Sequence, residues 1–389
     1  MVIGFLFLGA IAVFLVALLR FVSEKHIAIW FPAYLRGGRA RSTQKGTHRK
    51  TVDLFLCIAD HFEPGYQRPS IAQERQRVDE FVARYPELAS RYADWEGRPL
   101  QYTFFYPEEE YRREHLDKLA QLCESGFGDV EIHLHHDNDT PGSLREKLVR
   151  FKTTLSEQHG LLRRDTVTGD VIYGFIHGNW ALDNSLRSGR WCGVNNELQV
   201  LHETGCYADF TLPSAPSDAQ TRKINSIYYA TDDPLRPKSH DGGTDVTKGG
   251  KPGGDLMIIQ GPLALNWKRR KWGILPRIEN GEITADNPPT PDRVDLWVKQ
   301  GISVIGKPNW VFIKIHTHGA QERNQDVLLG KPMADMLDYL GRTYNDGVGH
   351  RLHYVTAYES YLTICAAEAG EDVPKLTRRK HRLPAIKSK

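Results

Sequence analysis

The sequence contains little cysteine and no closely spaced cysteine pair. Its cysteines are odd in number, widely separated along 389 residues, and never arranged as CxxC. A disulfide framework is typical of an even number of cysteines, so we expect thiols that form no disulfide and suit a reducing compartment. The five cysteines are Cys57, Cys123, Cys192, Cys206 and Cys365.

Charge is distributed unevenly along the chain. Charged side chains are missing from residues 1–19, and acidic ones are missing from residues 375–389. Residues 20–50 carry eight lysines and arginines against one glutamate, and residues 375–389 carry seven. Because the whole chain has a net charge of +3, residues 51–374 carry a net charge of −11. This acidic body excludes nucleic-acid binding, which needs a basic groove on the fold itself.

The N-terminus is an uninterrupted apolar run from Val2 to Leu19. As a helix it would be about 27 Å long, enough to cross the hydrocarbon core of a bilayer. A signal peptide has a basic segment before its apolar run, yet the first basic residue here is Arg20, and no small-residue cleavage site follows. We therefore predict a transmembrane anchor at residues 1–20, rather than a signal peptide or a buried helix.

Basic residues follow the predicted anchor. The positive-inside rule therefore favours a cytoplasmic body, although one pair of flanks leaves the extracytoplasmic side open. Trp30, Phe31 and Tyr34 lie among these basic residues and resemble an interfacial aromatic belt. We expect residues 21–50 to form a basic juxtamembrane linker. Residues 371–389 would be a basic flexible tail that contacts the membrane surface or serves solubility alone.

Between residues 51 and 370, short β-rich runs alternate with helical patterns. The predicted strands are Val52–Ala59, Tyr102–Tyr106, Val130–His135, Val171–Ile176, Ala208–Leu212, Leu256–Ile259 and Val311–Ile315. The predicted helices are 70–90, 108–125, 143–159, 195–204, 291–300 and 332–343. This alternation predicts an α/β fold with a parallel sheet, either a βα-barrel or a doubly wound sheet. Gly242–Gly254 is expected to be a flexible loop and lacks the ending of a phosphate-binding loop.

Acidic and imidazole side chains concentrate where the predicted strands end. The first strand leads into Asp60, His61 and Glu63. The third leads into a cluster in which His133 and His135 share one face of the strand. That cluster consists of His133, His135, His136, Asp137 and Asp139. Imidazole and carboxylate ligands suit Zn²⁺ or a similar divalent metal, and the lack of a thiol in this segment argues against a structural zinc site.

Later strands add further polar residues to the same predicted edge. The fourth strand leads into His177, Asn179 and Trp180, of which Trp180 is equally compatible with ordinary core. Asp209 follows a later helix, and we expect it to line the same opening. The last predicted strand leads into His316 and His318, which should face one side together because they are two residues apart. Histidine is the natural proton donor near neutral pH.

In order and position, these segments resemble the five motifs of the NodB-homology polysaccharide deacetylases, of the carbohydrate esterase family 4 type. Asp60-His61 takes the place of the family's Asp-Asp, and His135 with Asp139 takes the place of its His-x-x-x-His. The segment from His177 to Trp180 matches the third motif without its arginine, and the fourth motif is met loosely near Asp209. The last motif falls at His316 or His318. The resemblance covers residues 51–365, and Gly261–Gly281, which has no counterpart, would be a substrate-binding insertion.

This resemblance implies a distorted (β/α)7 barrel that hydrolyses the N-acetyl group of a polysaccharide or a lipid-linked amino sugar. It makes Asp60 the catalytic base and His316 or His318 the proton donor. The implied ligands of a divalent metal ion, Zn²⁺ in the first instance, are His61, His135 and Asp139. The residues expected to bind substrate are His177, Asn179, Trp180 and Asp209. A polysaccharide biosynthesis complex would be a natural partner.

Two other functions stay open on the sequence alone. The first is a glycoside hydrolase on the same barrel, which would need two carboxylates facing each other across the cleft. Asp60, Glu63 and Asp209 are the available carboxylates. The second is a non-catalytic, membrane-anchored subunit that binds polysaccharide or assists its assembly. The altered second and third motifs favour this second alternative.

Overall fold

The computed structural model describes residue 16, residues 18–43 and residues 51–374 of the protein. The predicted anchor at residues 1–20 and the predicted tail at residues 371–389 fall largely outside these ranges. Among the residues that the structure describes, none of the helices combines the length and apolar character needed to cross a membrane.

A large, mostly parallel sheet forms the centre of the protein. The strands of the protein are β1 (Val52–His61), β2 (Thr103–Pro107), β3 (Asp129–Leu134), β4 (Arg163–Arg164), β5 (Val171–His177), β6 (Cys206–Asp209), β7 (Ile227–Ala230), β8 (Thr244–Asp245), β9 (Leu256–Ile259), β10 (Ala264–Lys271), β11 (Leu275–Glu279), β12 (Glu282–Ile283), β13 (Trp310–Thr317) and β14 (His350–Val355). Along the sheet they follow the order β12-β13-β1-β2-β3-β5-β6-β9-β7-β8, and β14 pairs with the first half of β1. Pairing is parallel from β12 to β9, whereas β7 and β8 are antiparallel.

Helices follow most of the parallel strands, which confirms the predicted α/β class. They are α1 (Ile27–Thr43), α2 (Ile71–Ala89), α3 (Arg113–Glu124), α4 (Pro141–Thr153), α5 (Glu197–Glu203), α6 (Pro291–Gln300), α7 (Glu322–Leu328), α8 (Lys331–Tyr344) and α9 (Ala357–Ala369). Three begin at a side-chain N-cap, at Ser70, Thr140 and Thr356. The six predicted helices correspond to α2 to α6 and α8, while α1, α7 and α9 were not predicted.

The seven predicted strands are all present, with small shifts at their ends. The largest shift is at β6, which ends at Asp209 rather than Leu212. The short strands β4, β8 and β12, the strands β7 and β14, and the hairpin β10–β11 were not predicted. Part of the expected loop at Gly242–Gly254 is also ordered, because Thr244–Asp245 pairs with β7. None of the five cysteines forms a disulfide, as expected.

Alternation along the strands divides the core into two faces. In β1, Leu54, Leu56 and Ile58 belong to the larger cluster, which also contains Phe81 of α2 and Leu116 of α3. The residues between them, Phe55, Cys57 and Ala59, belong to a second cluster with residues of β2, β7 and β13. We call the first the helix face and the second the inner face. Both faces are apolar, as expected for parallel strands buried on both sides.

The sheet is strongly curled around its inner face. Lys314 of β13 is 2% exposed, and its ammonium group donates to the carbonyl oxygens of Phe210 at 2.6 Å and Leu212 at 2.7 Å. These carbonyls lie just beyond β6, which four strands separate from β13 in the sheet order. The carboxyl ends of β13 and β6 therefore meet across the inner face.

Helix α1 packs on the body, which corrects the expected role of Trp30. The indole of Trp30 is completely buried in a small cluster with Ile27 of the same helix and with Leu263 and Leu265 at the start of the β10–β11 hairpin. Tyr34 packs against the same cluster. Trp30 is therefore part of the protein core and not of an interfacial belt, and Ile27–Thr43 within residues 21–50 is helical.

Candidate metal centre

Three parallel strands bring histidines and a glutamate together at their carboxyl ends, on the inner face of the sheet. His61 ends β1 and Glu63 follows it, His133 lies in β3, and His318 follows β13. In β3, Val130, Ile132 and Leu134 point to the helix face, so the alternate residues His133 and His135 point inward. The shared face predicted for these two histidines is confirmed.

Glu63 is the centre of this group, which we call the Glu63 cluster. Its Oε1 lies 3.1 Å from Nε2 of His133 and 3.1 Å from Nε2 of His135. Its Oε2 lies 3.1 Å from Nδ1 of His318. A single buried carboxylate is thus surrounded by three imidazoles that come from two different strand ends.

His61 and Trp180 complete the inner wall of the cluster. The imidazole of His61 is 1% exposed and stacks on the indole of Trp180, with ring centroids 4.8 Å apart. It also lies 4.8 Å from the ring of His133 and 4.9 Å from that of His318. His316 also contacts Trp180, in an edge-to-face arrangement with ring centroids 4.9 Å apart, and its ring lies 6.3 Å from that of His61. His316 and His318 therefore face the same side, as their spacing predicted.

The charges of the cluster are set by its own contacts. Burial alone would raise the pKa of Glu63, but hydrogen bonds with His133, His135 and His318 lower it well below its usual value. Burial and the neighbouring histidines His133 and His318 lower the pKa of His61. Against the effect of burial, hydrogen bonds to Glu109 and Glu63 raise the pKa of His135 to about 10. At neutral pH Glu63 is therefore ionised and His61 is neutral.

These residues fit a divalent metal ion. Ligand atoms of His61, Glu63 and His318 lie within 4.8 Å of one another, and so do those of Glu63, His133 and His135. Buried Nδ1 atoms of His61 and His133 have no hydrogen-bond partner in the structure. A donor set of imidazole nitrogen and carboxylate oxygen suits Zn²⁺ and other first-row divalent ions. Beyond His135, Glu109 contacts the second ring nitrogen, in the way that carboxylates orient metal-binding histidines.

A cleft of about 500 Å³ opens beside the cluster at His318. Its lining includes Arg269 and Arg277 of the β10–β11 hairpin. Polar side chains dominate the rest of the lining, among them Tyr66, Glu282 and Asn324. The cluster therefore borders a polar, solvent-filled cleft at His318, and a catalytic metal site needs such an open side.

Asp60 lies on the other face of β1 from His61. Its carboxylate accepts the Gly319 N–H at 2.6 Å and the Tyr102 hydroxyl at 2.9 Å, next to Phe81 of α2. Burial raises its pKa to about 7. Both oxygens of Asp60 therefore have hydrogen-bond partners on the helix face. Asp60 and Glu63 lie on opposite faces of the sheet, so they do not form the facing pair of carboxylates that a glycoside hydrolase needs.

A second group of side chains that could hold a metal ion lies on the helix face, and we call it the Cys192 cluster. It consists of His136, His177, Cys192 and Glu197, all buried, with ligand atoms within 4.8 Å of one another. The segment from His133 to Asp139 contains no thiol, yet folding brings Cys192 next to His136. The argument against a structural zinc site therefore does not hold for His136.

The structure divides the predicted ligands between the two clusters. His61 and His135 both belong to the Glu63 cluster. Asp139 instead accepts a hydrogen bond from the Lys147 ammonium at 2.7 Å and lies 3.4 Å from Nδ1 of His136. Hydrogen bonds from these partners lower the pKa of Asp139 although burial opposes the shift. Asp139 thus supports the Cys192 cluster, and Glu63 takes the carboxylate position beside His61 and His135.

The predicted substrate-binding residues also lie in different places. Trp180 lines the Glu63 cluster, while His177 belongs to the Cys192 cluster. Asn179, between them, donates from its side chain to the carbonyl oxygen of His136 at 3.3 Å. Asp209 is completely buried, and its carboxylate accepts the Thr211 hydroxyl at 2.7 Å and the Thr211 N–H at 3.0 Å.

Sequence reasoning missed three residues that the structure makes central. In the sequence, Glu63 was considered only as an available carboxylate after β1. Because it lies two residues after His61, the two side chains are expected on the same face of the sheet. Cys192 and Glu197 have no local signal that connects them to β3 or β5. Only the tertiary fold brings these two side chains to His136 and His177.

Comparison with known proteins adds no assignment. No protein-family model matches the chain, and no match is found among curated proteins.

Proposed function

We propose that the protein is a metal-dependent hydrolase that removes N-acetyl groups from a polysaccharide or a lipid-linked amino sugar. The observation that carries this proposal is the Glu63 cluster, an ionised carboxylate among imidazoles beside an open polar cleft. Its position at the carboxyl ends of parallel strands is where α/β folds place their active sites. The proposal makes the protein a divergent relative of the NodB-type deacetylases.

The fold that we propose is the distorted (β/α)7 barrel of that family. Two observations support it: the run of parallel strands from β12 to β9, and the contact of Lys314 with the carbonyl groups of Phe210 and Leu212. Helices cover the outside of the curled sheet, while an apolar cluster and the polar strand ends fill its inside.

In this proposal Glu63, His133 and His135 hold the metal ion, with Zn²⁺ as the first choice. When bound, the ion would supply an activated water at neutral pH and polarise the acetyl carbonyl. Glu109 keeps the ring of His135 in place through its contact with Nδ1. Glu63 and His133 are held by the strand ends themselves, so the ligand set is preorganised.

His318 is the better placed of the two predicted proton donors. Its side chain is 20% exposed at the cleft, whereas the whole of His316 is 1% exposed. Burial lowers the pKa of His316, while hydrogen bonding to Glu63 raises the pKa of His318 despite its burial. We propose that His318 protonates the leaving amine. Asp60 holds Gly319, the next residue, so we assign it a positioning role instead of the role of base.

A membrane is the proposed site of action. The apolar run from Val2 to Leu19 supports an anchor. The turn of the β10–β11 hairpin supports a peripheral contact, because Trp267 is 54% and Trp272 69% exposed beside a run of four cations, Lys268–Lys271. Exposed tryptophan among basic residues is typical of contact with anionic lipid headgroups. For the turn, we propose membrane contact in place of the substrate binding expected of Gly261–Gly281. The hairpin side chains Arg269 and Arg277 still line the cleft.

The proposal is tested by acetate release from N-acetylated glycans, measured together with the metal content of the purified full chain. Glu63→Gln should lose both metal and acetate release, because an amide oxygen is a poor replacement for the central carboxylate. Asp286→Asn, an exposed carboxylate at the rim of the same cleft, is the matched control and should keep both. Metal binding without acetate release in the wild-type protein would favour the non-catalytic alternative. Unchanged release by Glu63→Gln would refute the assignment.

A further inference from the structure

We propose that the Cys192 cluster is a second, structural metal site that binds Zn²⁺ independently of the Glu63 cluster. Its four side chains come from four places in the chain: His136 follows β3, His177 ends β5, Cys192 lies in the loop after β5, and Glu197 begins α5. The relative exposure is 5% for His136 and 0% for the other three. A closed site of this kind is typical of structural zinc, whereas a catalytic zinc keeps one position open.

The ligand atoms are arranged around the carboxylate of Glu197. Nε2 of His136 lies 3.0 Å from its Oε1, and Nε2 of His177 lies 3.9 Å from the same oxygen. The thiol sulfur of Cys192 lies 3.3 Å from its Oε2. Two nitrogens, one sulfur and one oxygen make a set of four ligands, the number that structural zinc takes.

A sharp turn in the loop around Cys192 directs its sulfur into the cluster. Trp191 and Gly193 on either side have positive φ angles of 64° and 94°, which turn the chain sharply at the cysteine. A side chain at position 193 would collide with the backbone nitrogen of Asp139, 2.7 Å from its Cβ. Backbone N–H groups of Asn184 and Val194 lie 3.2 and 3.5 Å from the sulfur. Burial and the Glu197 carboxylate raise the pKa of the Cys192 thiol, and these two N–H groups only partly oppose the shift, so the thiolate would form when a metal binds.

His177 gives a second indication of a missing ligand. Its Nε2 is buried and has no hydrogen-bond partner in the structure. A buried, unpartnered ring nitrogen costs free energy that a metal bond would remove. The Asn179 N–H lies 3.3 Å from Nδ1 of the same ring, and coordination through Nε2 would place the ring proton there. Metal binding at Nε2 would therefore break this 3.3 Å hydrogen bond.

The residues around the cluster also support a structural metal site. Asp139 lies 3.4 Å from the second ring nitrogen of His136 and is itself paired with Lys147, which is a common arrangement behind metal-binding histidines. The Asp139 N–H also donates to the carbonyl oxygen of Cys192 at 2.9 Å. A metal here would join the end of β3, the end of β5 and the start of α5, close behind the Glu63 cluster.

The competing explanation is a metal-free network in which a protonated His136 bridges Glu197 and Asp139. Cobalt substitution separates the two explanations, because only the Cys192 cluster contains a thiol. The purified full chain is stripped of metal, loaded with Co²⁺ and examined by absorption spectroscopy. We expect a thiolate-to-cobalt charge-transfer band in the near ultraviolet. If cobalt binds and this band is absent from the wild-type protein, the proposal is wrong.

Variants assign the band to its ligands. Cys192→Ser and Glu197→Gln should each remove the band and lower the zinc content by one ion per chain. Cys206→Ser, a buried cysteine beyond this cluster, is the matched control and should keep the band. Glu63→Gln should also keep it, so this result does not depend on the proposed hydrolytic site. A band that survives Cys192→Ser would overturn the assignment.

Discussion

His135 and His136 are neighbours in the chain, yet they serve opposite faces of the sheet. Nε2 of His135 lies 3.1 Å from Oε1 of Glu63, whereas Nε2 of His136 lies 3.0 Å from Oε1 of Glu197. Alternation at the end of β3 accounts for this division, because successive side chains point to opposite sides. One dense cluster in the sequence therefore contributes to two separate groups of side chains that could hold a metal ion, one beside a cleft and one closed.

The position of Asp60 gives a prediction that separates positioning from catalysis. Asp60→Asn keeps the size of the side chain and an oxygen that can accept the Gly319 N–H. We expect it to retain the metal and to lower the turnover of acetate release by roughly 10–100-fold, the range typical of outer residues that orient a metal site. Metal analysis and steady-state kinetics measure the two effects. A variant that keeps its metal but has no turnover would return Asp60 to the role of base.

The burial of Trp30 predicts that α1 belongs to the folded unit. Trp30→Ala should lower the free energy of unfolding by about 3–5 kcal/mol, the usual cost of deleting a fully buried tryptophan. Leu35→Ala in the same helix is the control, because Leu35 is 54% exposed and should change stability by less than about 0.5 kcal/mol. Denaturant unfolding measures both. Equal, small effects would show that α1 does not contribute to stability.

Much of the fold could be predicted because parallel strands have a strong local signature. Runs such as Leu256–Ile259 are continuously apolar, and they became buried strands within the predicted bounds. The β10–β11 hairpin was missed because Trp267–Lys271 is rich in cations and its register is irregular between Asn266 and Arg270. Trp30 was misinterpreted because its sequence neighbours are basic, whereas its burial depends on residues distant in the sequence, among them Leu263 and Leu265.

The site was predictable only where its residues follow strand periodicity. His133 and His135, like His316 and His318, are two residues apart, so a common face follows from strand geometry. Asp139 lies beyond the end of β3, where this rule no longer applies, and its partner became Lys147. Glu197 is 61 residues from His136, and no local pattern connects them.

The hairpin turn predicts contact with anionic membranes. In vesicles of anionic phospholipid with brominated acyl chains, tryptophan fluorescence of the full chain should be quenched. The double variant Trp267→Ala/Trp272→Ala should lose much of this quenching, because the exposed indoles would reach the bilayer interface. Trp95→Ala removes an exposed indole elsewhere, 47% exposed, and should leave the quenching unchanged. Equal quenching in the wild type and the double variant would argue against this contact.

Lys314 predicts how stability changes with pH. Burial lowers the pKa of its ammonium group to about 8, well below the usual 10.5. Between pH 8 and 10.5 the unfolded chain therefore binds more protons than the folded one, and the free energy of unfolding should rise with pH across this window. The rise from this group alone should be roughly 3 kcal/mol, at about 1.4 kcal/mol for each unit of pKa. Lys314→Met removes the titrating group. The unfolding free energy of the wild type, measured relative to that of this variant, should therefore rise by the same amount between pH 8 and pH 10.5. Denaturant unfolding at several pH values measures it, and a difference that stays constant would show that the Lys314 ammonium is not destabilised in the folded protein.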